Sequence, residues 1–305
     1  MRRRARVYIA AMKRSTRAAL LAMFAAAMLY PSGASAQAPA HRLYVSVLDA
    51  AGKPIAGLTS ADFEVIEGGT KRDIVRLAPA NDPMRLVLLV DNSESMRPSI
   101  EDVRKSVQAF IDGIAPQHEI GLITFGDTPV VRQAPSTDHA KLKDLAQKII
   151  PRGGVMMITA VMEMYGRFLK DAGGRWPMFV IITSDGPEVS GAVDPKKLNA
   201  MMQDMQLKDV VVHSIVMSTM GRGVEVAVSQ AMVQATDGHY DSISASSALT
   251  GKLTALAAAI TAEFDRTDDE YVLEYSSPVS DPNAPLDVRV NRQAHVTLAR
   301  GVRIR

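Results

Sequence analysis

Two short stretches hold the residues whose types and spacing could do chemistry: Asp91-Asn-Ser93-Glu-Ser95 and, further along, Ser184-Asp185-Gly186. Asp91, Ser93 and Ser95 are alternate residues on one turn, which sets a carboxylate and two hydroxyls on the same side. Asp185 adds a second carboxylate if its strand ends at the same edge. Hard oxygen donors with positions left to water suit Mg2+, Mn2+ or another hard divalent ion. In the plainer reading both aspartates simply accept hydrogen bonds from turn amides and hydroxyls, and both readings stay open on the residues alone. A serine hydrolase built on Ser93 or Ser95 would want a Gly-x-Ser-x-Gly elbow and a nearby general base; neither stands close in sequence. The histidines (His41, His118, His139, His213, His239, His295) show no ligand spacing, and His213 sits within an apolar strand as a core residue would.

These residues need a scaffold that brings two strand ends together. Leu86-Val-Leu-Leu-Val90 runs into Asp91, and Met178-Phe-Val-Ile-Ile182 runs towards Asp185; both are continuous apolar runs, as strands buried on two faces must be. Pro98 opens a helix whose Ile100, Val103, Val107, Phe110, Ile111 and Ile114 repeat at helical spacing. Ile120–Phe125 is the next strand. Only Gly126-Asp-Thr-Pro129 separates it from Val130-Val131, too little for a crossover, so that strand is expected as an antiparallel edge. Helices follow around residues 140–150 and 159–169. Val210–Val216 is a further strand, and helices are expected around 225–234 and 248–264. Strand–helix alternation over 84–266 predicts an α/β fold: a doubly wound, mostly parallel sheet with one antiparallel edge strand. In such sheets ligands bind where loops leave the carboxyl ends of strands, which is where both aspartates fall.

The flanks are β-rich. In residues 41–80, Phe63–Glu67, Gly68-Gly69 and Asp73–Leu77 read as a hairpin; in 270–305, Tyr271–Tyr275, Leu286–Val290 and His295–Leu298 read as strands. Each flank is too small for its own core, so the two are expected to pack together as one subdomain. Residues 1–36 read as a signal peptide: seven Lys and Arg with no acidic residue, thirteen apolar residues from Ala18 to Tyr30, then Ala34-Ser35-Ala36. That apolar run is about two-thirds of what a membrane-crossing helix needs, and no later segment is a candidate span. Met12 is an alternative start to Met1. The whole chain carries +2, but without residues 1–36 it has 28 Lys and Arg against 33 Asp and Glu. With no basic block and interleaved aromatics, nucleic acid is not an expected partner. There is no cysteine, so an exported chain of this kind relies on its core rather than on disulfides.

Asp91-x-Ser93-x-Ser95 after one apolar strand and Ser184-Asp185-Gly186 after another resemble the metal-ion-dependent adhesion site of von Willebrand factor type A domains. Gly52–Phe63 and Tyr271–Tyr275 extend the likeness to a group of exported bacterial proteins of this type, mainly from acidobacterial genomes. The resemblance implies the Rossmann-like fold already expected. It also implies a site in which Ser93 and Ser95 ligate Mg2+ or Mn2+, Asp91 and Asp185 hold it directly or through water, and a partner carboxylate completes the shell. One residue departs: the family places a threonine ligand in a glycine-led loop, and in Arg152-Gly-Gly-Val155-Met156-Met157-Ile-Thr159 that position is Val155. Any metal is therefore expected to bind weakly. Val155, Met156, Met157 and Thr159 adjoin the crevice and are candidate partner contacts, since methionines suit adaptable binding surfaces. The functional expectation is an exported, non-enzymatic module, periplasmic or secreted, that binds an unidentified protein. A structural part of an envelope assembly with a vestigial metal site, and less so a hydrolase, are the alternatives.

Overall fold

Uninterrupted apolar strands need cover on both faces, and a computed structural model of the chain shows what supplies it. The structure describes residues 40–218, 223–265, 270–278, 284–292 and 294–300; residues 1–36, expected to be a signal peptide, lie outside them. In chain order, β1 (Ala40–Leu48), β2 (Phe63–Glu67), β3 (Thr70–Arg72) and β4 (Ile74–Pro79) come first. The α/β region follows with β5 (Met84–Val90), α1 (Ile100–Asp112), β6 (Glu119–Thr124), β7 (Val130–Ser136), α2 (His139–Gln147) and α3 (Met157–Met164). It continues with β8 (Trp176–Ser184), α4 (Pro195–Leu207), β9 (Val211–Met217), α5 (Val224–Ala235), β10 (Tyr240–Ile243) and α6 (Leu249–Asp265). β11 (Glu270–Ser276), β12 (Leu286–Val290) and β13 (His295–Arg300) close the described chain.

The central sheet has the order β10-β9-β8-β5-β6-β7. Its pairings are parallel except β6 with β7, which run antiparallel across the short Gly126–Pro129 connection. Alternate side chains of β5 serve two cores. Leu86, Leu88 and Val90 meet Val103, Val107 and Phe110 of α1 and Leu253 of α6; Val87 and Leu89 meet Ile158 and Val161 of α3, Met205 of α4 and Met232 of α5. Burying each such side chain is worth about 1.5–3 kcal/mol, so the last five positions of β5 hold no charge. The chain order reverses at β5, with β8 on one side and β6 on the other. The crevice outside that reversal is where a doubly wound sheet takes its ligand.

The flanking strands interleave. Their larger sheet runs β13-β1-β11-β4, and β12-β2-β3 forms a second one. Leu43, Val45, Val47, Phe63, Val65, Leu273 and Tyr275 share one core between them. The partner of Phe63–Glu67 across Gly68-Gly69 is Thr70–Arg72, and Ile74–Pro79 pairs with β11 instead. The tight turn reverses the chain at once, so the three residues that follow it complete the hairpin. The stretch from Ile74 onward is then free to join the other sheet. Among the described residues no helix is long and apolar enough to cross a membrane.

Candidate functional site

β5 and β8 are adjacent and parallel, so Asp91 and Asp185 leave the same edge of the sheet. Asp91 is fully buried and its carboxylate ties the two strand ends together. Oδ1 accepts from the Ser93 amide at 2.7 Å; Oδ2 accepts from the Ser184 amide at 3.0 Å and from Ser184 Oγ at 2.6 Å. Ser93 then starts a short 3-10 turn over Glu94–Ser99. It is 0% exposed, and its Oγ has no hydrogen-bond partner among the described residues. A buried hydroxyl without a partner costs roughly 1–3 kcal/mol, so this oxygen sits where a further donor or a cation would be favourable.

Ser95 is exposed and lies against Gly186; a Cβ at Gly186 would fall 2.2 Å from Ser95 Oγ and 3.2 Å from Ser184 Oγ. A side chain after Asp185 would push Ser95 Oγ aside, so the glycine leaves that hydroxyl its place in the crevice. Asp185 is half-buried, and its Oδ2 accepts from Ser218 Oγ, beyond β9, at 2.9 Å. The structure thus brings Asp91, Ser93, Ser95 and Asp185 to one crevice.

Several residues that hold the crevice carry no sequence signal of their own. Asn92 is the unspecified position of the Asp-x-Ser spacing, yet its side chain staples two further loops. Oδ1 accepts from the Gly126 amide at 2.6 Å, and Nδ2 donates to the Ile150 carbonyl at 2.8 Å. A Cβ at Gly126 would lie 2.4 Å from the Arg152 carbonyl oxygen and 2.5 Å from that of Asn92, so the glycine is what allows three backbones to meet. Glu188, after β8, accepts from the Met157 amide at 3.1 Å through Oε2 and from the Ser190 amide at 3.1 Å through Oε1. Burial pushes its carboxyl above the ordinary range. Glu225, in the first turn of α5, is also buried and also raised, by burial first and then by the nearby charges of Glu188, Asp185 and Asp91, against its own backbone amide.

The expected partner contacts need correction. Val155 and Met157 are both 0% exposed and belong to the core beneath the crevice, with Ile158, Val161 and Met164. Their apolar run is the buried face of α3 and its lead-in rather than a surface patch. The backbone of Val155 is held on both sides, its amide donating to Pro187 O at 3.2 Å and its carbonyl accepting from Val189 at 2.7 Å. Met156 and Thr159 are half-buried, and the Thr159 amide donates to Ser190 Oγ at 3.1 Å.

The donor set is one of hydroxyls and carboxylates. No three Asp, Glu or His among the described residues are arranged to hold an ion by themselves, so Ser93 and Ser95 would have to contribute. Val155 offers no oxygen. The buried Ser93 Oγ, without a hydrogen-bond partner among the described residues and on the turn next to Asp91, fits a hard divalent cation.

Residues 86–188 match the family model of the von Willebrand factor type A domain. No curated protein matches the chain. Among solved structures it is similar to a von Willebrand factor type A protein from Catenulispora acidiphila, at 14% identity and a TM-score of 0.48, over 75% of this chain and 51% of that one. It is also similar to the conserved hypothetical protein BatB from Bacteroides thetaiotaomicron, at 15% identity and 0.46, over 60% of this chain and 99% of that one. The vWF domain of the type V pili tip protein Mfa5 from Porphyromonas gingivalis is similar at 12% identity and 0.45, over 60% and 96%. The chain spans about half the length of the first of these.

Proposed function

We propose that this chain, whose residues 86–188 match the von Willebrand factor type A domain, is an exported protein-interaction module that binds its partner at the crevice between β5 and β8. The observation that carries this reading is Ser93 Oγ: fully buried, without a hydrogen-bond partner among the described residues, and on the turn whose amide bonds Asp91. Ser93 and Ser95 would hold Mg2+ or Mn2+, with Asp91 and Asp185 balancing its charge. When bound, the ion supplies an electrophilic centre for a partner's Asp or Glu carboxylate. Asp91 already accepts three hydrogen bonds from Ser93 and Ser184, so it would balance the ion's charge mainly through space or through water. The rim supports a protein partner. Of the four exposed large apolar residues among those described (Val75, Ile150, Val189 and Val224), two lie on loops beside the crevice residues and one opens α5: Ile150 beside Asn92, Val189 beside Val155, and Val224 next to Glu225.

A structural role in an envelope assembly, with a site that no longer takes metal, is favoured by one observation, the valine at position 155. The two readings separate in a capture experiment from envelope extract with the immobilised protein. The adhesion reading expects a partner retained in Mg2+ and released by EDTA, and not retained by Ser93→Ala. Retention indifferent to both EDTA and Ser93→Ala would replace it with the structural one.

A further inference from the structure

Glu225 has no part in the site as read from the sequence, yet it is 2% exposed and its Oε1 has no hydrogen-bond partner among the described residues. A buried carboxylate oxygen left bare is costly, and among the described residues no ion pair compensates this one. Its place in the fold says what it faces. Ser229, one helical turn further along α5, is fully buried and bonds Met157 Sδ at 3.3 Å. Residues four apart share a helix face, so Glu225 lies on the side of α5 that packs over the start of α3, next to the Val155 loop. The carboxylate folds over Gly223: a Cβ there would lie 1.7 Å from Oε1 and 2.5 Å from Cδ. Among the described residues, Glu188, Asp185 and Asp91 are close enough to act on it, and all three are negative. Asp91 and Glu188 are each held by backbone amides; Oε1 of Glu225 is not. The second unpartnered oxygen of the crevice is Ser93 Oγ, at 0% exposure.

We propose that Glu225 is a positioning residue for the cation site, accepting a hydrogen bond from an ion-bound water on the α5 side of the crevice. The chain would thereby add, from α5, a negative charge beside those of Asp91 and Asp185. An outer position agrees with the absence of any three-carboxylate cage among the described residues. The inference rests on the reading that a cation binds between Asp91 and Asp185.

The test is Mn2+ titration by calorimetry, with melting curves taken in EDTA and in saturating Mn2+, for wild type, Glu225→Gln, Gly223→Ala and Asp91→Asn. Loss of an outer partner typically costs 10–100-fold in metal affinity, so Glu225→Gln should weaken Mn2+ binding by about that factor. It should melt higher than wild type in EDTA, because a buried like charge has gone. Gly223→Ala keeps the carboxylate but displaces it, and should weaken Mn2+ binding in the same direction; it also serves if Glu225→Gln does not fold. A carboxylate that merely stabilises the α5 N-terminus predicts the reverse: lower melting in EDTA and unchanged affinity. Unchanged affinity in both variants, with binding lost in Asp91→Asn, overturns this inference and leaves the cation site standing. No Mn2+ binding by folded wild type overturns both.

Discussion

Asp91→Asn separates the structural job of the buried aspartate, holding two strand ends, from its proposed job of facing a cation. The carboxylate receives three donors, the Ser93 amide at 2.7 Å, the Ser184 amide at 3.0 Å and Ser184 Oγ at 2.6 Å. Asparagine has the same shape but only one acceptor oxygen. With that oxygen towards Ser93, its NH2 group faces the Ser184 amide and hydroxyl. The hydroxyl can turn to accept; the amide cannot. Flipping the side chain moves the same problem to the Ser93 amide. One buried N–H is left unsatisfied in either case, at a cost of about 1–3 kcal/mol, offset in part by burying a neutral group. For a domain of this size that is a melting temperature lower by roughly 2–10 °C, read by scanning calorimetry in EDTA so that metal cannot contribute. Asp91→Ala strands all three donors and should melt lower still. An Asp91→Asn protein that melts with wild type in EDTA would refute the staple and, with it, the claim that Asp91 joins β5 to β8.

Gly186→Ala places a methyl 2.2 Å from Ser95 Oγ; because Ser95 is exposed and can swing away, the variant should fold normally but bind Mn2+ more weakly in calorimetry. Deleting 270–305 removes β11 from between β1 and β4; amide exchange should then rise in Ala40–Leu48 and Ile74–Pro79, while protection in β5 and β8 is less affected. His118 and His213 are held down to about 4, chiefly by burial and then by His139 and His239 respectively. Each therefore takes up its proton in the unfolded chain near pH 6.5 but in the folded one only near 4. Stability should fall as pH drops through that window, by up to about 1.4 kcal/mol per pH unit for each histidine, and level off below it. Denaturant titrations across pH 7 to 4 test this, and His118→Gln should show a shallower slope than wild type.

How far the molecule was legible in its sequence depends on what each residue's signal was made of. Leu86–Val90 and Met178–Ile182 announce a covered parallel sheet because no other environment tolerates such runs, and the short Gly126–Pro129 link dictates the antiparallel edge. Asp91, Ser93, Ser95 and Asp185 are brought to one crevice because their spacing is tied to those strand ends. Val155 and Met157 misled because an apolar loop and the buried lead-in of a helix look alike over four residues; the phase of α3, with Ile158, Val161 and Met164 inward, separates them. The hairpin partner of β2 was misplaced because Thr70–Arg72 is too short and polar to show strand patterning. Asn92 and Gly126 owe their importance to loops distant in sequence. Glu225 looks like any acidic residue in a first helical turn until its burial is seen.

Mn2+ titration of the folded chain in chelator-treated buffer tests the central claim most directly. A single site that competes with Mg2+, weakened by Ser93→Ala and lost in Asp91→Asn, is the result predicted by a cation held between β5 and β8. Absence of saturable binding by wild type, or binding that Ser93→Ala and Asp91→Asn leave unchanged, would contradict it.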